Sequence, residues 1–524
     1  LAAAGLGGGA AMMASVLSIG SAEAAPAVPA SDTAPDPAAT PPVAGLHLQF
    51  GKDASSEVVV SWHTLQIVRN PRVLIGGLDG RLERIVPAKE VSYRDAKSKQ
   101  TVYAYHAQIP DLKPDAAFLY CALHDGAQPE FGTFRTSPRG RASFTFTSFG
   151  DQGTPTLGRK FTLPPGVVMP NPPAYVNDNL GSPAAGDTTL GVERLRPLFH
   201  LFNGDLCYAN LAEDRVRTWW DFWENNTRSA RNRPWMPCPG NHENELGNGP
   251  IGYQAYQTYF SLPEAAGQTE ITRGLWYSFT AGSVRVVSIA NDDICYQDAG
   301  NSYVRGYSSG AQKAWLEKEL AAARADRGID WIVVCMHQVA ISTADKFNGA
   351  DLGIREEWLP LFDKYEVDLV VCGHEHHYER SHPIRGQQPN KTLTPIPAAT
   401  GTEIIDTTII DTTRGTVHMV IGGGGTSVPS NRLFFNPPQC RVITAVGAPD
   451  PTTGKRTPIY VKEEAPWSAV RNAAHAYGFA AFIVDPGSHP GDFTTIKVTY
   501  YDVVGVNGEI AAFETFTLRR PRRD

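Results

Sequence analysis

Five apolar runs, far apart in the chain, each break off at a residue of a kind that can hold a metal ion. "SFTFTSFGD" stops at Asp151, "PLFHLFNGD" at Asp205, "RPWMPCPGNHE" at Asn241, "IDWIVVCMH" at His337 and "VDLVVCGHEH" at His374. Apolar runs of this length, closed by Gly, Asn or Asp, read as buried strands. Helical stretches lie between them. The clearest covers residues 309–328, with Ser309 and Gln312 spaced as a capping box and Gly328 as the stop, and "GIREEWLPLFDKY" is another. Strands alternating with helices imply an α/β sheet. Such sheets bind ligands where the loops leave the carboxyl ends of the strands. The five endings therefore predict a single pocket.

The candidates for that pocket are Asp151, Asp205, Tyr208, Asn241, His242, His337, His374 and His376. Carboxylate, imidazole, phenolate and amide together suit first-row cations such as Fe, Mn and Zn. "CGHEHHYERSH", residues 372–382, holds four of the fourteen histidines. In an extended segment His374 and His376 point the same way, with Glu375 and His377 facing away. A carboxylate at a strand end can bridge two cations, and a cation pair can clamp the attacking and leaving oxygens of a phosphoryl displacement. Asp151, Asp205 and a Tyr208 phenolate carry three negative charges, against five positive charges for a trivalent plus a divalent ion. Even with a bridging hydroxide the centre stays positive and attracts a phosphate dianion.

Residues 44–137 have a different texture. "LHLQFG", "EVVVSWHT", "TVYAYHAQI" and "AFLYCALHD" are β-branched and aromatic, with turn residues between them. Short strands over such a length suggest a sandwich. "DLKPDAAFLY" resembles the L-x-P-x-T-x-Y stretch of fibronectin type III domains, with Phe118 where a corner tyrosine would stand. Residues 136–140 then form the boundary to a second domain over 143–518. Residues 1–24 are Ala/Gly-rich and end on "SAEA", an export-signal remnant whose weak hydrophobicity suits the twin-arginine type, and residues 25–43 form a Pro/Ala-rich linker. These features predict a secreted or cell-envelope protein. No other run is long and apolar enough to span a bilayer. The net charge of -7 argues against a nucleic-acid partner. Oligomeric state is not readable. Seven cysteines lack any C-x-x-C pairing; Cys335 and Cys372 fall in strand runs as buried small hydrophobes, and some of the others could pair in an exported protein.

Five blocks, "GDQG", "GDLCY", "GNHE", "CMHQ" and "GHEHHYER", resemble in order and type those of the purple acid phosphatases, within the calcineurin-like metallophosphoesterases. The all-β first domain is similar to that of the two-domain plant-type members, and "VHMVIGGGG" and "AYGFA" resemble later strands of the family. The resemblance covers roughly residues 44 to 515. It implies an α/β metallophosphoesterase sandwich, two mixed sheets flanked by helices, behind a fibronectin type III-like domain. It implies a ferric site of Asp151, Tyr208 and His376, sharing Asp205 with a divalent site (Fe, Zn or Mn) of Asn241, His337 and His374. His242 and Asn241 are implied to face the phosphate, His242 stabilising charge or protonating the leaving oxygen. The implied activity is hydrolysis of phosphate esters by attack of metal-bound hydroxide.

Plant members carry further histidines soon after the block matching "CMHQ", whereas residues 339–358 here contain none and offer Asp345, Asn348 and Asp351. His377 and His382 could compensate as substrate contacts, or serve as supporting hydrogen-bonding or surface residues. Asp292 and Asp293 read as turn formers, the tryptophans of "RTWWDFWENN" as core, and "IGGGG" as a strand-end turn near the metals. Residues 154–192 and 386–414 read as long loops downstream of the ligand blocks; the first reads either as a lid over the site or as a surface insertion. Two other readings stay open: a phosphodiesterase or phospholipase-like specificity on the same site, and a secreted adhesin with structural metals.

Overall fold

The computed structural model describes residues 39–155, 159–160, 168, 175–176, 180–297, 303–398 and 408–524. The export-signal segment and most of the linker lie outside the described residues, as does about half of the 154–192 insertion.

Alternating burial builds the first domain. Strands β1 (Ala44–Phe50), β2 (Val58–Thr64), β3 (Arg72–Gly76), β4 (Arg84–Pro87), β5 (Lys89–Arg94), β6 (Thr101–Ile109), β7 (Ala117–Leu123) and β8 (Glu130–Arg135) form two antiparallel sheets, ordered β1-β2-β6-β5 and β4-β3-β7-β8. All seven residues of β1 and of β2 are buried. One sheet face meets the opposing sheet, and the rest is covered by the second domain. His47 of β1 stacks on Trp223 with ring centroids 3.8 Å apart. Phe118 has no hydroxyl for a corner bond; two residues on, the Tyr120 hydroxyl donates across domains to the Arg231 carbonyl at 2.7 Å.

Two seven-stranded mixed sheets form the second domain. In the first, Trp235–Cys238, Phe199–Asn203 and Phe144–Phe149 run parallel, Gly478–Asp485, Phe493–Gly505 and Glu509–Pro521 extend them in antiparallel pairs, and the edge strand Ile409–Asp411 lies parallel to Glu509–Pro521. The second sheet carries Val284–Ser288, Trp331–Cys335, Leu369–Cys372 and Val417–Ile421 in parallel, with antiparallel strands at both ends. Phe199–Asn203, Trp331–Cys335, Leu369–Cys372 and Val417–Ile421 are buried along their whole length, as strands must be when both faces are covered. The ends of these strands come together at one rim.

Local expectations met varied outcomes. The helix Arg215–Ala230 buries Trp219 and Trp223 completely, as its tryptophan-rich face predicts. The helix expected over 309–328 runs Ala311–Ala325 with Gly310 as its N-cap, and the Ser309 capping box does not form. Gln312 turns inward instead and bonds Ala290 through both its amide atoms and Asp293 through Nε2. The "GIREEWLPLFDKY" helix is broken at Trp358 into Leu352–Glu357 and Leu359–Lys364, because Pro360 has no N–H to continue the ladder. The described parts of the 386–414 insertion form a hairpin (Ile384–Gln387 with Pro395–Pro397) and the Ile409–Asp411 edge strand. All seven cysteines are buried free thiols. Among the described residues no helix is long and apolar enough to cross a membrane.

Candidate metal centre

Each run delivers its polar residue through an abrupt turn. Asp151, Asp205, Tyr208 and His374 all have positive φ, between +51° and +70°. Non-glycine residues in that region cost energy and concentrate at functional sites. The glycines of the sequence blocks make room there. A Cβ on Gly240 would come within 2.3 Å of the Asp205 carboxylate, and one on Gly373 within 2.3 Å of Asp151 Oδ2.

The predicted residues converge in two groups. In one, His337 Nε2 lies 3.1 Å from Asp205 Oδ2, 3.1 Å from Asn241 Oδ1 and 3.2 Å from His374 Nδ1. The ligand atoms of Asp205, His337 and His374 all fall within 4.8 Å of one another. In the other, the Tyr208 hydroxyl lies 3.2 Å from Asp151 Oδ1 and 3.1 Å from His376 Nε2, and that nitrogen is 3.3 Å from the same carboxylate oxygen. Asp151 joins the groups, since its Oδ2 accepts the His374 backbone N–H at 2.8 Å. His374 and His376 therefore serve opposite sides of the centre. The cause differs from the extended segment expected: His374 is left-handed, and tight turns close from Glu375 N to Gly373 O and from His377 N to Glu375 O, each at 2.8 Å.

The chemistry of this donor set fits cations. His337 Nδ1 donates to the Asn203 carbonyl (2.7 Å), His376 Nδ1 to the Val428 carbonyl (2.8 Å) and His374 Nε2 to Gln297 Oε1 (3.0 Å). With the outer nitrogen of each ring fixed as donor, the inner nitrogen is the one turned toward its neighbours' lone pairs, where it can serve as a metal ligand once it carries no proton. Burial opposes charge on both Asp205 and His337, but their mutual attraction prevails: Asp205 is held below the ordinary carboxylate range and His337 rises to about 10. A cation at this position must displace the proton they share. Burial, then the charges of Asp151 and Asp205, push the Tyr208 phenol well above its ordinary range, so only a strongly polarising ion makes it a phenolate near neutrality.

His242 sits at the rim, its side chain 20% exposed, with Nε2 4.0 Å from Asp205 Oδ2. Its Nδ1 pairs with Asn210 Oδ1 at 2.9 Å, so Nε2 is the atom turned to the centre. Burial lowers its pKa and the nearby Asp205 charge opposes this. His377 is turned away and cannot reach a substrate, which corrects that possibility. It is fully buried, with Nδ1 on Ser430 and Nε2 on Glu379. His382 shows no contact with the centre; its backbone N–H bonds Trp467. Of the residues that replace the plant-type histidines, Asn348 Nδ2 donates to the His374 carbonyl at 2.5 Å and Asp351 caps the Leu352–Glu357 helix. Phe347 lies edge-on to His376, centroids 4.9 Å apart. Asp292 takes bonds from Tyr253 and Gln338 in a short turn, as a turn former does.

Several supporting residues escaped the sequence reading. Glu243 is buried and accepts the backbone N–H groups of Asp205 (2.9 Å), Leu206 (2.8 Å) and Gly240 (2.7 Å), tying two ligand-bearing turns together. Asn291 Oδ1 accepts from the N–H of His337 (2.8 Å) and of Gln338 (3.0 Å). The last residue of "GNHE" was the available signal for Glu243; Asn291, Gln297 and Asn210 carried none.

Known proteins match this arrangement. A family model for calcineurin-like phosphoesterases matches residues 187–378, and one for the purple acid phosphatase N-terminal domain matches residues 43–140. An uncharacterized Mycobacterium tuberculosis protein is 61% identical over 482 residues, covering 92% of this chain and 88% of that one. A purple acid phosphatase of Glycine max is 26% identical over 347 residues, 64% of this chain and 65% of its own. The purple acid phosphatase PPD1 from yellow lupin seeds shares the fold with a TM-score of 0.64 at 19% identity, covering 92% of this chain and 75% of that chain. The protein is thus a metal-dependent phosphoester hydrolase rather than an adhesin. Its first domain, its mixed-sheet second domain and the blocks at the strand ends place it together with these relatives: the chain belongs to the purple acid phosphatase family of the calcineurin-like phosphoesterases.

Proposed function

We propose that the chain is an exported, dinuclear phosphoric ester hydrolase. Asp151, Tyr208 and His376 would hold a ferric ion and Asn241, His337 and His374 a divalent ion (Fe, Zn or Mn), with Asp205 shared. The observation that carries this reading is the orientation of three buried imidazoles, each with its outer nitrogen committed to a protein oxygen; the inner nitrogens of His337 and His376 face carboxylate, amide or phenol oxygens, and that of His374 faces His337 Nε2. When bound, the two ions supply Lewis acidity toward the phosphoryl group and an activated water. The chain does the rest. Buried walls exclude bulk water, Asn203, Val428 and Gln297 orient the rings, and Glu243 keeps Asp205 facing inward. His242, steered by Asn210, offers Nε2 to the ester, where it binds developing charge or passes a proton to the leaving oxygen.

Metal analysis of the purified protein, with Asp205→Ala and His337→Ala assayed on mono- and diesters, tests the proposal. Loss of metal and a fall in turnover of about a hundredfold or more are expected. Wild-type turnover in both variants would refute it. A diesterase or phospholipase-like preference is a second reading, favoured by the absence of histidine over 339–358 and by the Phe347 ring packed on His376. Export rests on residues 1–24; cell fractionation of the full-length protein checks it.

A further inference from the structure

The first domain does more than lean on the second. Between β5 and β6, residues 95–100 form a tight turn, closed by Asp95 N to Gln100 O and Lys99 N to Asp95 O at 2.9 Å each. The fully buried Asp95 stiffens the turn, its Oδ2 accepting the N–H groups of Lys97 and Ser98. The tip then grips two segments of the other domain. Lys97 Nζ donates to the Ala212 carbonyl at 2.8 Å and pairs with Glu213 at 3.3 Å, and Gln100 Nε2 reaches Asp214 at 3.2 Å. On its other side, Ala96 N donates to Asn248 Oδ1 at 2.7 Å, and Asn248 Nδ2 donates to both Asp95 and Glu245.

Both gripped segments lead directly to the centre. Ala212 closes the short 3-10 turn that starts at Tyr208, through Leu211 N to Tyr208 O and Ala212 N to Ala209 O. That turn also carries Asn210, the partner of His242. Asn248 and Glu245 end the segment that begins with Asn241 and His242; Asn248 N bonds Glu245 O, and Glu245 accepts from Trp219 Nε1 at 2.6 Å. Asp214 is itself the N-cap of the Arg215–Ala230 helix.

We propose that the N-terminal β domain is a working part of the phosphoesterase site: its 95–100 turn clamps the two loops that carry Tyr208, Asn210, Asn241 and His242, with Lys97 as a positioning residue. The inference rests on the reading of those four residues as site residues. Tyr208 is left-handed at the start of this turn, with its hydroxyl against Asp151 and His376, and Asn210 rides on the same turn. Fixing Ala212 one turn away restricts the swing of the phenol and of Asn210 together.

Lys97→Met keeps the aliphatic stem and removes the donor at a side chain that is one-third exposed. Gln100→Ala independently removes the turn's tie to Asp214, which still caps its helix through Arg217 N. The measurements are amide hydrogen exchange across the full chain and steady-state turnover of a phosphate ester. Exchange within 208–214 is expected to rise about fivefold or more, with Gly478–Asp485 unchanged. Turnover is expected to fall about fivefold or more with KM within about twofold, as a misplaced catalytic group produces. Unchanged exchange over 208–214, exchange that rises equally in every strand, or raised exchange with wild-type turnover would each overturn the clamp. The exchange readout needs neither metal nor substrate. A wild-type chain inactive on every ester would therefore count against the hydrolase assignment and leave exchange to decide the clamp.

Discussion

Replacing Glu243 by Gln tests the support beneath the centre, because the change is nearly isosteric and removes one acceptor. Three backbone donors converge on the two carboxylate oxygens: Oε2 takes Asp205 N and Gly240 N, and Oε1 takes Leu206 N. A glutamine can set its carbonyl at only one of these positions. In its better orientation it keeps the two bonds at Oε2 and turns its NH2 group against the Leu206 N–H. One buried donor then loses its acceptor, at about 1–3 kcal/mol; burial and the Asp205 charge raise the Glu243 carboxyl to about 8, so lost ionic assistance adds to this only as pH rises past that value. The side chain is 1% exposed, so water cannot substitute. We expect Glu243→Gln to lower Tm by several degrees and, because Asp205 is no longer fixed, to weaken metal binding by about 10–100-fold. Thermal melting and competition with a chelator measure the two effects. A variant that melts with the wild type and holds metal equally well would refute the assignment of Glu243 as the tie between the two turns.

Tyr208→Phe removes the only phenol within reach of Asp151 and His376 among the described residues; with iron bound, the visible charge-transfer band is expected to vanish while far-UV circular dichroism is unchanged. Chelation of the loaded protein is expected to lower Tm by an amount that grows with metal affinity, and added metal to restore it, as binding to the folded state alone requires. Glu245, buried beside Trp219, has its pKa raised to about 8 by burial, against bonds from Trp219 and Asn248 and the attraction of Arg215. A carboxyl whose folded pKa lies above its ordinary 4.5 favours the fold below that value and loses the contribution as pH rises through 8. The stability difference between Glu245→Gln and wild type, measured by denaturant unfolding, should therefore move in the variant's favour from pH 5 to 8, on the order of a few kcal/mol; a flat difference would contradict the burial argument.

The blocks were legible because chemistry restricts them locally. A strand buried on both faces must be apolar, and the residue at its end must be polar to be useful, so Asp151, Asp205, Asn241, His337 and His374 stood out against their own neighbours. The tryptophans of Arg215–Ala230 were readable as core for the same reason. His374 and His376 were expected to point the same way along an extended segment, whereas a left-handed residue and two tight turns direct them to opposite sides of the centre. The misplaced capping box shows the opposite failure: Gln312 satisfies the cap pattern, yet a buried partner across the fold, Ala290, outbids it.

Local pattern thus decided which side chains could take part: the donor types, their order and the strands that present them are properties of short windows. Contacts between distant windows decided the rest. Which imidazole nitrogen faces inward depends on Asn203, Val428 and Gln297, whose carbonyl and amide oxygens have no distinguishing composition. The grip of residues 95–100 on 208–214 and 241–248 joins segments more than a hundred residues apart, as Ala96–Asn248 and Lys97–Ala212 show. Hydrogen-bond direction and packing across such separations arise only when the whole chain has folded, because a polar residue's partner is set by geometry rather than by its neighbours in sequence.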